Sequence, residues 1–140
     1  MYQSTKTYGH EVGLSCCFRQ WRATHSHCRF LHGYALSVKL TFESETLDER
    51  NWVQDFGGLK DVKNWLKETF DHKTVIAEDD PEVKTFAILQ SKGLIDCVII
   101  PNVGCEAFAK YIFDHVSFDI PNLKSVEVRE HGANSAIYTL

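Results

Sequence analysis

Residues 33–43 carry the sequence pattern that most constrains how this chain folds. Apolar and polar side chains alternate there without a break: Tyr34, Leu36, Val38, Leu40 and Phe42 against Ala35, Ser37, Lys39, Thr41 and Glu43. A period of two predicts a half-buried strand of an antiparallel sheet. His32 has the same parity as the apolar set, so a strand that extends back to it points this imidazole toward the covered face.

Beyond Gly58 the apolar spacing changes to that of a helix. A first helix is predicted from the apolar set Leu59, Val62, Trp65, Leu66 and Phe70. A second follows Pro101, with Asn102 as its candidate cap and an apolar stripe formed by Cys105, Phe108, Tyr111, Ile112 and Val116. Each helix therefore has one apolar face, which it has to bury against another element.

The remaining segments predict short strands at 13–21 and 94–100, around Val126 and Val128, and at 135–140, with a loop over 71–84. Two strands thus precede the helices and two follow them. This order predicts an α+β fold, in which an antiparallel sheet carries two helices on one face. With 140 residues and no linker or repeat, the chain is expected to form a single domain over 1–140.

Composition excludes several classes of function. Hydrophobic residues make up 44% and charged residues 24%, which argues against a disordered chain. No apolar run reaches the roughly 20 residues needed to cross a bilayer, and no apolar stretch follows the first residues, so a cytoplasmic protein without a membrane partner is expected. The net charge is −4 and basic residues do not cluster with aromatics, so no nucleic-acid partner is expected. The odd count of five cysteines, without a C-x-x-C pair, does not indicate a disulfide framework.

Three of the seven histidines, His25, His27 and His32, fall within eight residues beside Cys28. Two histidines two positions apart project to one side of an extended backbone, and a third arrives after a short connection. Three imidazoles with one open position are typical of a catalytic zinc site. The alternative is a group of solvated loop histidines.

Cys28 itself has three possible roles: a fourth zinc ligand, a small buried hydrophobe, or a nucleophile or base activated by a neighbouring cation, histidine or metal. The pair Asp71–His72 is a candidate helper, because Asp can orient His and His can exchange a proton with a thiol. Glu130 shares the parity of Val126 and Val128, so it should face inward if the strand continues, and a buried carboxylate needs a partner. If the strand ends at Arg129, Glu130 lies in a solvated turn.

Several short motifs together resemble the 6-pyruvoyltetrahydropterin synthase / 6-carboxytetrahydropterin synthase family. Cys28-Arg-Phe-Leu-His32-Gly33 resembles its Cys-x-x-x-His-Gly-His signature, and Trp-Arg-Ala-Thr-His25 its Phe-x-Ala-Ala-His segment. The others are Asp55-Phe56-Gly-Gly-Leu59-Lys60, Phe70-Asp71-His72, Pro101-Asn102-Val-Gly-Cys-Glu106 and Val128-Arg129-Glu130. They occur in the family's order from about Trp21 to Tyr138.

The resemblance implies the tunnelling fold, whose subunits join their sheets into a barrel and form a homohexamer, a dimer of trimers. It implies Zn²⁺ as cofactor and 7,8-dihydroneopterin triphosphate as the small-molecule substrate. By position, Cys28 corresponds to the catalytic cysteine, Asp71 and His72 to its relay, and Glu130 to the pterin anchor. His25 and His32 take two of the zinc positions.

The chain departs from the family pattern at two positions. The second histidine of His-Gly-His is Tyr34 here, and the threonine at the start of the second helix is Gly104. We expect His27 to replace the missing zinc ligand. The activity implied is that of a 6-carboxytetrahydropterin synthase of queuosine biosynthesis; the alternatives are a 6-pyruvoyltetrahydropterin synthase and a non-catalytic pterin- or zinc-binding homologue.

Overall fold

The computed structural model describes residues 1–140 and contains seven strands and three α-helices. The strands are β1 (Tyr2–Tyr8), β2 (Leu14–Phe18), β3 (His32–Ser44), β4 (Lys73–Ala77), β5 (Cys97–Ile100), β6 (Leu123–His131) and β7 (Asn134–Thr139). The helices are α1 (Lys60–Phe70), α2 (Val83–Ser91) and α3 (Cys105–Asp119). No helix is long and apolar enough to cross a membrane.

The long strand β3 organises the sheet. Its first half pairs antiparallel with β2, from Phe18 opposite His32 to Leu14 opposite Leu36. Its second half pairs with β1 on the same side and with β6 on the other side. The resulting order is β5-β4-β2-β3-β6-β7, with β1 lying against β3. The burial of β3 agrees with the alternation from which it was predicted: the even-numbered residues from Leu36 to Phe42 are completely buried.

The prediction of an antiparallel sheet with two helices is wrong in two respects. The sheet is mixed, because β2 pairs parallel with β4 and β4 pairs parallel with β5. A third helix, α2, lies between β4 and β5 and was not predicted, and β4 lies within the segment 71–84 that the sequence predicted as a loop. The physical reason is the crossover: parallel neighbours cannot be joined by a tight turn, so the chain from β4 to β5 returns through a helix.

The core lies between the sheet and the helices. Leu66 and Phe70 of α1 and Phe108 and Ile112 of α3 are fully buried in one cluster with Phe18 of β2. The helix α3 starts after Gly104, whose φ of 116° is one that side chains rarely adopt, and not at a cap formed by Asn102. Gly104 thus sets the direction in which α3 leaves the preceding loop.

Candidate active site

The segment between β2 and β3 carries three of the predicted site residues. Its backbone is closed by a hydrogen bond from the Gln20 N–H to the carbonyl of Cys28, with a donor–acceptor distance of 2.9 Å. The Ser26 hydroxyl oxygen accepts from the Cys28 N–H at 3.2 Å and caps a short 3₁₀ turn, His27–Arg29. These two bonds hold the backbone of Cys28 in a tight turn just before β3, and its side chain is partly buried.

The start of this segment is fixed to the loop between β4 and α2 by an ion pair whose carboxylate is buried. Arg19 donates to both carboxylate oxygens of Asp80, at 2.8 and 2.6 Å, and the Asp80 side chain is only 1% exposed. Burial by itself would raise the pKa of Asp80, but hydrogen bonds from Arg19 and the Glu82 N–H hold that pKa below its usual range. A bidentate pair fixes orientation as well as distance. The Arg19–Asp80 pair therefore positions the chain just after β2, where the site segment begins.

Aromatic rings line the face of β3 that the site segment leads into. The rings of His32 and Tyr34 meet edge to face with centroids 5.2 Å apart, and both lie against Phe18, at 5.5 and 6.0 Å. Nδ1 of His32 is 2.7 Å from the carbonyl oxygen of Phe30, so this nitrogen donates a proton to it. That bond assigns the tautomer and leaves Nε2 of His32 with a free lone pair.

The Glu130 carboxylate lies beside two protonated groups, the Tyr34 hydroxyl and the Cys105 thiol. Burial raises the pKa of Cys105 to about 12, and Glu130 and Glu106 act in the same direction. Burial also raises the pKa of the Tyr34 hydroxyl, followed by the charges of Glu130 and Cys28. Both neighbours of Glu130 are therefore neutral at ordinary pH, and each has a proton that it can donate to a carboxylate.

The strand β6 continues to His131, so Glu130 does not lie in a solvated turn. Val126 and Val128 are completely buried, as their parity predicts. Glu130 is half-buried, like Glu127 and Arg129 of the opposite parity, and it lies at a register shift of β6 against β7. The ring of His131 lies 6.3 Å from that of Tyr34. The structure thus places Cys28 of the 3₁₀ turn, His32 and Tyr34 of β3 and Glu130 of β6 in one region, although Cys28 and Glu130 are about 100 residues apart in the chain.

The predicted relay pair Asp71–His72 lies at the junction of α1 and β4. The Asp71 carboxylate accepts from Nδ1 of His72 at 2.8 Å, and the His72 N–H donates to the carbonyl of Ser15 at 2.6 Å. His72 has a φ of 59°, which is uncommon for a residue with a side chain. Its side chain is 87% exposed and contacts no group of the Cys28 segment by hydrogen bond. Within one chain the pair is formed, and it faces solvent.

The three predicted zinc ligands do not converge. His25 lies in a turn, Ser26 is extended with φ −129° and ψ 155°, and His27 begins the 3₁₀ turn. No group of three His, Cys, Asp or Glu side chains in the structure could hold a metal ion. Of these three histidines, His32 alone donates from Nδ1 to a carbonyl oxygen, a bond that metal-ligating histidines usually make from the nitrogen that does not bind the metal. As folded, these residues do not fit a three-histidine zinc site.

Sequence reasoning missed three features of this region. Cys105 was assigned to the apolar stripe of α3, although its thiol lies next to Glu130. Tyr34 was treated as a lost ligand, although its hydroxyl is a partner of Glu130. No local sequence pattern indicates the ion pair between Arg19 and Asp80, because the two residues are 61 positions apart. The position of Tyr34 two residues after His32 was the only available hint of its place in the site.

A model of the 6-pyruvoyl tetrahydropterin synthase family matches residues 9–140, nearly the whole chain. The chain belongs to the 6-pyruvoyl tetrahydropterin synthase family. This confirms the resemblance drawn from the motifs. Among curated members of the family, the 6-carboxy-5,6,7,8-tetrahydropterin synthase of Rickettsia bellii is 37% identical over 57 residues, which are 40% of this chain and 41% of that protein. The Aquifex aeolicus protein of the same name is 34% identical over 93 residues, 62% of this chain and 55% of that protein.

These matches span about half the length of the curated relatives or less. Solved structures are similar over the full chain. An uncharacterized protein from Wolinella succinogenes superposes with a TM-score of 0.83 at 23% identity, covering 99% of this chain and 97% of that one. The 6-pyruvoyl tetrahydropterin synthase of Plasmodium vivax gives 0.66 at 18% identity, covering 99% and 98%. At these identities the likeness establishes the fold.

Proposed function

We propose that this protein is a 6-carboxy-5,6,7,8-tetrahydropterin synthase, which converts 7,8-dihydroneopterin triphosphate with loss of triphosphate and acetaldehyde. The observation that carries the proposal is that the Tyr34 hydroxyl lies close enough to Glu130 and Cys28 for their charges to add to the effect of burial in raising its pKa. The family membership supports a pterin substrate, and the relatives named 6-carboxytetrahydropterin synthase favour this product over a pyruvoyl one.

In the proposed reaction Glu130 holds the pterin. A carboxylate can accept two hydrogen bonds from the amino group and ring N–H of a pterin, an arrangement that fixes both distance and orientation. The Tyr34 hydroxyl and the Cys105 thiol lie near Glu130 and are neutral at ordinary pH, so both are able to donate to its carboxylate when no ligand is bound.

Cys28 is the proposed base, acting as a thiolate that removes a carbon-bound proton from the side chain of the substrate. Its N–H is held by Ser26 and its carbonyl by Gln20, so the backbone of the reacting residue is fixed before substrate binds. The Asp71–His72 pair would return the proton. Because His72 points to solvent and not to Cys28 of its own chain, we propose that it serves a neighbouring subunit.

A homohexamer built from barrel-forming trimers would supply that neighbour. Unpaired strand edges support such an assembly: β5 and β7 end the sheet, and β1 pairs on one side only. Free edges of this kind pair or are covered in native proteins. Light scattering of the purified chain at micromolar concentration should give a hexamer, and a monomer would contradict the shared site.

The family resemblance supports zinc as a cofactor. His32 supports it as well, because its Nε2 is free to bind a metal. Two further ligands are required, and His25 and His27 would have to turn toward His32 to provide them. The steps assigned above to Cys28, Glu130 and His72 do not depend on the metal.

One assay tests the function. The purified protein is incubated with 7,8-dihydroneopterin triphosphate, and the pterin product, acetaldehyde and triphosphate are measured. We expect 6-carboxytetrahydropterin with one equivalent each of acetaldehyde and triphosphate. Triphosphate without acetaldehyde would indicate the 6-pyruvoyl product instead. Tight pterin binding without turnover would indicate a non-catalytic homologue.

A further inference from the structure

A cleft between β1 and the start of α1 is lined by four lysines. Its volume is about 560 Å³, and its lining includes Lys6 from β1 and Lys60, Lys63 and Lys67 from α1. The three helical lysines are spaced three and four residues apart, so they lie on one face of α1. None of the four ammonium groups forms an ion pair, whereas Lys73 and Lys110 elsewhere in the chain do.

This concentration of positive charge contrasts with the rest of the molecule. The chain as a whole carries a net charge of −4, yet the cleft contains four ammonium groups against one carboxylate, that of Glu11. The Glu11 carboxylate folds back over the backbone of Gly9 and does not contact any lysine as an ion pair. The positive charge of the cleft is therefore left largely uncompensated by the protein itself.

The placement of these lysines on the helix brings like charges together. Lys60 and Lys63 occupy the first turn of α1. Lys63 and Lys67 are four residues apart and repel each other. An anion bound in the cleft would offset this repulsion, because it would lie between the ammonium groups.

The floor of the cleft is rigid. Tyr8 is buried, and its hydroxyl donates to the carbonyl of Leu59 at 3.5 Å, which joins the end of β1 to the residue before α1. This contact holds Lys6 and the helical lysines on opposite walls. The size of the cleft and the number of cations are larger than one orthophosphate needs, and ammonium groups bind phosphate as point charges.

We propose that this cleft binds an oligophosphate: inorganic triphosphate or the triphosphate group of a small molecule. The cleft shares no residue with the candidate active site, so the proposal stands independently of the proposed reaction. Titration calorimetry of the full-length protein with inorganic triphosphate, at low and at physiological salt, tests it. We expect saturable binding that weakens as salt increases.

The decisive variant is the double substitution Lys63→Gln and Lys67→Gln, with Lys84→Gln and Lys92→Gln near the ends of α2 as the matched control. All four lysines are exposed, so both variants should keep the wild-type fold, which circular dichroism verifies. We expect triphosphate affinity to fall tenfold or more in the first variant and to remain unchanged in the second. Lys6→Gln, from the opposite wall, should also weaken binding.

Three outcomes would overturn the proposal: no triphosphate binding by the wild-type protein, equal weakening in the control variant, or affinity for sulfate equal to that for triphosphate at matched ionic strength. Binding to anionic phospholipid vesicles without triphosphate binding would also overturn it. The Cys28→Ala variant should bind triphosphate normally, so a failed turnover assay and a failed binding assay are distinguishable.

Discussion

His32 and Tyr34 lie two residues apart on the same face of β3, and their rings meet edge to face at 84° with centroids 5.2 Å apart. The family signature has a second histidine where this chain has Tyr34. The tyrosine hydroxyl is a neighbour of Glu130, and burial raises its pKa, so it stays neutral and is a poor zinc ligand. Tyr34 thus connects the expected metal position to the expected pterin anchor.

The zinc prediction is tested by metal content. If His25, His27 and His32 hold zinc, His27→Ala should lose the metal and Tyr34→Phe should keep it, because zinc favours imidazole over a neutral phenol. Metal analysis of both purified variants and the wild type measures this. The reverse pattern would give Tyr34 the ligand role. A wild type without zinc would agree with the lack of a three-ligand group in the folded chain.

Replacing Cys28 by alanine should lower turnover by roughly 10²–10⁴-fold, the usual contribution of a positioned acid or base. Zinc content and thermal stability should not change, because Cys28 is only partly buried. Cys97→Ala is the matched control, since this partly buried cysteine lies on β5 and should leave turnover intact. Loss of metal in Cys28→Ala would identify the thiol as a ligand.

Replacing Glu130 by glutamine should weaken pterin binding about tenfold or more, because one of two charge-assisted acceptors is lost. Glu127→Gln is the control: Glu127 lies on the same strand with the opposite parity and contacts Arg129 and Ser135. Equilibrium binding of a non-reacting pterin measures both. Equal affinity in the Glu130 variant and the wild type would remove Glu130 from the binding site.

Breaking the buried pair by Arg19→Gln should lower the free energy of unfolding by about 3 kcal/mol, because the Asp80 carboxylate loses its bidentate partner. Arg22→Gln, which breaks the exposed pair with Asp79, should have little effect. The pKa of Asp80 is lowered in the folded state, so this stabilisation is present above the unfolded pKa and is lost as pH falls through the folded one. Denaturant unfolding at pH 7 and at pH 3 should show a smaller difference between variant and wild type in acid.

Two buried thiols should make the protein less stable in alkali. Burial raises the pKa of both Cys16 and Cys105 from 9.0 to about 12, so between these values the unfolded chain releases protons that the folded chain keeps. Stability should therefore fall as pH rises above 9, by up to about 1.4 kcal/mol per pH unit for each thiol. Cys105→Ala should show a shallower decrease in unfolding free energy between pH 8 and pH 10. An identical slope would mean that the Cys105 thiol ionises in the folded state.

Some elements could be predicted from local pattern and others could not. The strand β3 and the helix α1 were predictable because each buries one face, and burial of one face leaves a regular period in the sequence. The strand β4 was not predictable from the sequence. Its four consecutive residues from Thr74 to Ala77 are all buried, so both faces are covered and no polar–apolar alternation results. The helix α2 buries only Phe86 and has little amphipathic pattern. The mostly polar β1 depends on pairing with β3.

The sequence by itself determined the family and the position of Cys28 just before β3, because these follow from ordered motifs. Only the tertiary structure decided that Tyr34 and Cys105 lie near Glu130, and that His25, His27 and His32 form no three-ligand metal group. The physical reason is that a period reports which face is buried, whereas the partners on that face come from strands and helices 70 to 100 residues away. Their meeting depends on the register of β3 with β6 and on the turn between β2 and β3, which no local pattern encodes.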